Sequence, residues 1–174
     1  MSAAPEFSRP VAIDRIGGDT RPQSIAADEA ERLALARRFR LRAIDRLEAS
    51  YTLMPDAEAW LATGTLSASV VQACAATGQD VPESVETPFS IRFVAEAAVS
   101  EEEVELSEDD CDVMTVEDGR IDMGEAAAQT LALNLDPYPR APDADAFLKE
   151  MGVKQEGEAG ALAGLKDLLA KKGD

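Results

Sequence analysis

Trp60-Leu61-Ala62-Thr63-Gly64-Thr65-Leu66-Ser67-Ala68-Ser69-Val70 alternates without interruption. Trp60, Ala62, Gly64, Leu66, Ala68 and Val70 fall on one side of an extended chain, and Leu61, Thr63, Thr65, Ser67 and Ser69 on the other. A period of two assigns the first set to a buried face and the hydroxyl-rich set to a wetter one. Before it, Leu47, Ala49, Tyr51 and Leu53 alternate with Glu48, Ser50 and Thr52. After it, Phe89, Ile91 and Phe93 alternate with Ser90 and Arg92. Three half-buried strands in succession across residues 47–93 predict an antiparallel sheet with one packed face. The expected class is α+β: a curved antiparallel, partly barrel-like sheet of about five to seven strands with two to three packing helices.

Upstream, residues 1–9 read as a disordered terminus. Val11 and Ile13 flank Ala12 in a short apolar run ending at Gly17-Gly18, which reads as a strand and a turn, and a second short strand is expected around residues 24–26. Asp28 with Glu31 three residues on has the spacing of a capping box. The helix it opens carries Leu35 and Phe39 one turn apart, with Leu33 and Ala36 beside them. Arg32, Arg37, Arg38 and Arg40 surround that stripe, and Arg42 and Arg46 follow it. These six form the one basic cluster of the sequence. They read either as a solvated face paired with nearby acids or as a contact patch for RNA phosphates or an acidic partner.

Downstream, Pro55-Asp56 reads as the turn between the first two long strands. Gly78 and Pro82 mark a loop, a strand resumes by Val85, and Pro88 falls where an edge or strand start tolerates it. Residues 96–112 hold nine carboxylates and no basic residue, the composition of a mobile acidic loop. They lack the spacing and mid-loop glycine of an EF-hand. Glu117-Asp118-Gly119-Arg120 predicts a tight hairpin with Ile121 on the return strand. Asp122 and Glu125 repeat the capping-box spacing, so a helix is expected from about Met123, striped by Ala127, Leu131 and Leu135 and ended by Pro137 and Pro139. Residues 131–135 also alternate, which leaves a strand as the alternative there. The domain is expected over 10–142. Residues 143–174 read as a linker, with a turn near 147–151, and an amphipathic helix bearing Leu162, Leu165, Leu168 and Leu169, which either docks or awaits a partner.

The chain of 174 residues carries 17 basic and 34 acidic side chains, a net charge of −17. The first 50 residues hold nine basic and eight acidic groups, net +1; the remainder, at net −18, holds the whole of the imbalance. Such a field repels phosphate backbones and attracts cationic partners. There is no histidine, and the two cysteines, Cys74 and Cys111, stand 37 positions apart. Histidine-dependent nucleophilic sites and structural zinc sites are thereby excluded. Neither GxxxxGK[ST] nor GxGxxG occurs. Cys74, at a strand end with no nearby base, reads as a buried structural thiol. No cofactor, metal or catalytic residue is expected. No signal-peptide core or membrane-length apolar run of ~18 residues is present, so a cytoplasmic monomer is expected.

Four segments occur in a telling order: residues 66–74 ending in Cys74, then Pro82, then Phe89-Ser90-Ile91-Arg92-Phe93, then Ile121-Asp122-Met123-Gly124-Glu125 with a helix running toward Pro137. Over residues 10–142 the chain resembles the YceD-like family of large ribosomal RNA subunit accumulation proteins, long catalogued as a domain of unknown function. The resemblance implies that Cys74, Pro82, Phe89, Arg92, Phe93, Asp122, Gly124, Glu125 and Pro137 hold family positions of structural or interface importance. Many members have a second cysteine where this chain has Thr77, and a cysteine cluster where residues 138–144 have none. Any metal-binding role suggested for cysteine-rich members therefore does not transfer. The implied function is a bacterial ribosome biogenesis role in accumulation, processing or stability of the large-subunit (23S) rRNA, without catalysis. The expected partner is a basic ribosomal protein or pre-50S particle, with rRNA contacted indirectly. The alternatives are a direct RNA-binding module through Arg32–Arg46 and a small-ligand domain using the Thr/Ser face.

Overall fold

A computed structural model describes residues 5–18, 21–95 and 112–153. The elements are β1 (Pro10–Ala12), a 3-10 turn (Ile13–Arg15), β2 (Gln23–Ala26), α1 (Glu29–Phe39), β3 (Ala43–Asp56), β4 (Ala59–Ala73), β5 (Asp80–Ala95), β6 (Asp112–Val116), β7 (Arg120–Asp122), α2 (Met123–Asn134) and α3 (Ala144–Glu150). The class is α+β. A five-stranded sheet runs in the order β2-β3-β4-β5-β6, and β1 pairs with β7 in a separate ribbon. The main sheet stays open, with β2 and β6 at its ends.

The three long strands form the antiparallel ladder that the alternation predicts. Leu47 pairs with Ala68, and Ala68 with Val85. The same face carries Leu53, Ala62, Leu66, Val70, Ile91 and Phe93, all buried. A register shift between Ile44 and Arg46 bends β3. Gly64 serves a packing need: a Cβ there would overlap the Ser50 carbonyl oxygen and stand 2.8 Å from Tyr51 Cα and 2.9 Å from the Phe89 ring. Leu35 and Ala36 of α1 and Met123, Ala126, Ala127 and Leu131 of α2 close the core over this face. On the opposite face the hydroxyls bond one another, with Ser24 Oγ 3.1 Å from Ser50 Oγ and Thr52 Oγ1 3.1 Å from Thr63 Oγ1.

Several expectations change. β6 joins β5 in parallel, not antiparallel. Sixteen residues, 96–111, separate the two strands, enough for the crossover that a parallel pair needs. Pro55 and Asp56 are paired strand residues, and the turn is Ala57-Glu58, with Ala57 at φ 51°. Pro82 and Pro88 lie inside one continuous β5, in the part that β6 does not cover. Asp118 and Gly119 have the positive φ of a tight hairpin turn, 48° and 67°. Beyond the Glu117–Arg120 bridge, however, β7 leaves β6 and pairs with β1. Leu33 is 55% exposed, off the stripe of α1.

Residues 5–9 do not fray: Phe7 is fully buried. The packed chain also runs past 142, since Ala144 of α3 is buried against Cys74 and Ala141. The acidic segment 96–111, Cys111 and the leucine-bearing helix expected near the C-terminus lie outside the described residues. Among the described residues no helix is long and apolar enough to cross a membrane.

Candidate functional site

Asp28 and Glu31 form the complete capping box of α1. Asp28 Oδ1 accepts from the Glu31 N–H at 2.9 Å, and Glu31 Oε2 from the Asp28 N–H at 2.8 Å. The helix ends at Arg40, whose φ of 57° is left-handed, and the Leu41 N–H returns to the Ala36 carbonyl at 2.8 Å. The six arginines on and after this helix do not form one patch. Arg32 donates to the Ala27 carbonyl at 2.8 Å. Arg42 reaches the Gly78 carbonyl and Asp80, and Arg46 stands 3.8 Å from Glu48. Arg38 makes a two-pronged bond to Glu125 at 2.7 and 2.8 Å and a third contact to Glu6 at 2.9 Å. Arg32, Arg37 and Arg40 have no ion pair among the described residues, and Arg37 and Arg40 face solvent.

Arg38–Glu125 joins α1 to α2. The hydrogen bond from Arg38 holds the Glu125 carboxyl below its ordinary range, and the same bond raises the already high pKa of Arg38. Glu125 therefore does not complete the capping box at α2. Asp122 caps that helix alone, accepting from the Gly124 and Glu125 N–H groups at 3.0 and 3.2 Å.

Asp122 also receives Ser8 Oγ at 2.5 Å and the Arg9 N–H at 2.7 Å, while the Met123 N–H donates to the Arg9 carbonyl at 3.2 Å. Arg9 in turn grips Glu31 with both terminal guanidinium nitrogens, at 2.7 and 2.9 Å. The N-terminal strap 5–12 thus ties α1, β7 and α2 together. Gly124 is what lets it pass, because a Cβ would stand 2.5 Å from the Phe7 carbonyl oxygen and 3.0 Å from the Arg9 nitrogen. Sequence reasoning found Asp122, Gly124 and Glu125 but missed Phe7, Ser8 and Arg9. The available signal was a lone aromatic in a polar terminus.

Beside this lock lies a groove of about 870 Å³. Its floor and one wall are Phe93 and the β6 residues Val113, Met114 and Thr115. The other wall is Asp122, Glu125 and Gln129 of α2 and its cap, with Arg38 and Glu6 above. The β6–β7 turn closes one end with Glu117, Asp118 and Arg120. Five carboxylates thus face two guanidiniums. Thr63, Thr65, Ser67 and Ser69 do not line it.

The other family positions have structural surroundings. Phe89 and Phe93 lie in the core. Arg92, on the outer face, stands 3.2 Å from Asp56, while Pro82 and Pro137 are exposed. Cys74 is 3% exposed, and its sulfur accepts from the Ala141 N–H at 3.3 Å and the Thr77 N–H at 3.4 Å. The donor from Ala141, then that of Thr77, draws the thiol down to about 6, against burial. The Ala75 N–H also bonds the Pro139 carbonyl at 2.8 Å. The two segments that carry cysteines in other members of the resembled family therefore meet here, around a single thiol. Among the described residues no three Cys, Asp or Glu side chains gather to hold a metal.

By fold and site the chain is an acidic α+β domain, with one sheet face packed and a carboxylate-rimmed groove at the open end of the sheet. It belongs to the YceD family: residues 62–169, more than half of the chain, match the family described as Large ribosomal RNA subunit accumulation protein YceD. The match begins within β4 and extends past residue 142, whereas the motif resemblance spans 10–142. The family's name implies a role in accumulating the RNA of the large ribosomal subunit, and it specifies no reaction. No curated protein and no solved structure matches the chain.

Proposed function

We propose that this protein supports accumulation, processing or stability of 23S rRNA as a non-enzymatic assembly factor in the cytoplasm. It does so by holding a basic ribosomal protein or pre-50S particle against its anionic surface. The observation that carries this reading is the groove between β6 and α2, where carboxylates outnumber guanidiniums and the chain's net charge of −17 reinforces the field. An anionic cleft raises the local concentration of cationic partners and speeds their encounter. The arginine cluster favours RNA less, because four of its six members already bond to neighbours within the chain.

Affinity purification of the full-length protein from cells, with and without RNase, tests the reading. Basic large-subunit proteins are expected to co-purify and to survive RNA digestion. Their absence, or their loss on digestion, refutes protein contact. In the second case Arg37→Glu with Arg40→Glu tests direct RNA binding, whose salt dependence should weaken. A deletion strain should show reduced 23S rRNA relative to 16S rRNA.

A further inference from the structure

The groove has a backbone wall as well as a charged one. β6 is the last strand of its sheet and pairs on one side only, with residues 91–95 of β5. Its other side has no strand partner among the described residues and borders the groove. An open edge presents N–H and C=O groups that are satisfied by an added strand or by water. Natural edges are commonly blunted by proline or lysine. The uncovered part of β5 carries Pro82 and Pro88, and β2 follows directly on Pro22. β6 reads Asp112-Val113-Met114-Thr115-Val116, with neither proline nor lysine and with three β-branched strand formers, Val113, Thr115 and Val116. Within it Val113 stands 58% exposed.

From this edge we infer that β6 receives an extended, lysine- or arginine-bearing segment of a partner protein as a sixth strand of the main sheet. The inference rests on the proposed function and specifies how the partner is held. Backbone bonds to β6 supply register, exposed Val113 and half-buried Met114 seat an apolar side chain, and alternate basic side chains meet Glu117 and Asp118 at the end of the groove. A five-residue strand offers about 17 Å of edge, room for a short tail in extended form. Charge selects this occupant over a second copy of the chain, since two molecules at −17 repel.

The test uses the full-length protein and a 12-residue peptide alternating lysine and valine. A second peptide has the same sequence with alternate backbone nitrogens methylated, which keeps the charge and removes the strand donors. The first peptide is expected to bind, to slow hydrogen exchange at amides 112–116, and to lose affinity in Glu117→Lys with Asp118→Lys. Losing two or three backbone bonds should weaken the methylated peptide by about ten-fold or more. Equal binding of both peptides, or protection elsewhere, overturns strand addition while leaving an electrostatic partner site intact. A dimer in sedimentation that the peptide cannot displace from β6 also overturns it. Failure of the proposed function appears separately, as no basic large-subunit protein in the purification above.

Discussion

Gly124→Ala separates two physical effects of opposite sign. In a free helix the change stabilises by at most about 1 kcal/mol, because glycine carries the larger entropy cost. Here the new Cβ would stand 2.5 Å from the Phe7 carbonyl oxygen, 2.9 Å from its carbon and 3.0 Å from the Arg9 nitrogen. The strap cannot easily retreat. Phe7 is fully buried, the Arg9 N–H is held by Asp122 at 2.7 Å, and the Arg9 carbonyl accepts from Met123 at 3.2 Å. Forcing extra volume into a packed site costs roughly 1–3 kcal/mol, so the net expectation is a destabilisation of about 1–2 kcal/mol. Urea unfolding followed by the single Trp60 and by circular dichroism measures it. Hydrogen exchange locates it, with faster exchange expected at the Arg9 and Met123 amides. A more stable variant, or an equal loss of stability with those amides unchanged, would refute the view that Gly124 exists to admit the strap.

Four further outcomes are expected. Gly64→Ala should destabilise by roughly 1–3 kcal/mol or more, since the obstacle is the backbone of β3, and thermal unfolding will show it. Arg40→Gly should stabilise by about 1 kcal/mol, as its φ of 57° suits glycine; a loss in chemical denaturation would contradict the left-handed cap. The Glu125 carboxyl is depressed when folded, so its contribution is present above the ordinary carboxylate pKa and lost as pH falls through the lower folded value. Glu125→Gln should therefore be less stable than the parent at neutral pH, with the gap closing in acid. In a Cys111→Ser background, thiolate absorbance of Cys74 should titrate near pH 6, and stability from this group should fall as pH drops from about 8.5 through that value. A midpoint at or above the free-thiol value would show that burial outweighs the Ala141 and Thr77 donors.

The candidate site was legible only in its pieces. Alternation placed Phe93 on the inner face, and the capping signals placed Asp122 and Asp28 at helix starts. Spacing alone leaves the basic run 32–46 readable either as one contact patch or as a solvated face paired with acids. In the fold Arg38, Arg42 and Arg46 pair with acids, Arg38 with Glu125 87 positions away, while Arg37 and Arg40 face solvent. Glu125, counted as a local cap, serves that distant arginine. Polar side chains choose partners by proximity in space, and spacing along the chain records only the helical and cross-turn share of that proximity.

Period-two burial, capping and Asp-Gly turns are short-range effects, so the alternating strands and their buried face, the start of both longer helices and the 117–120 turn can be read along the chain, as can the excess of negative charge. Tertiary structure alone decided that β6 would run parallel beside β5, that residues 5–9 would be a strap under Gly124, and that an open edge would face a carboxylate wall. Those depend on which distant surfaces exclude water together, and a non-local pairing of that kind leaves no periodic trace in either partner.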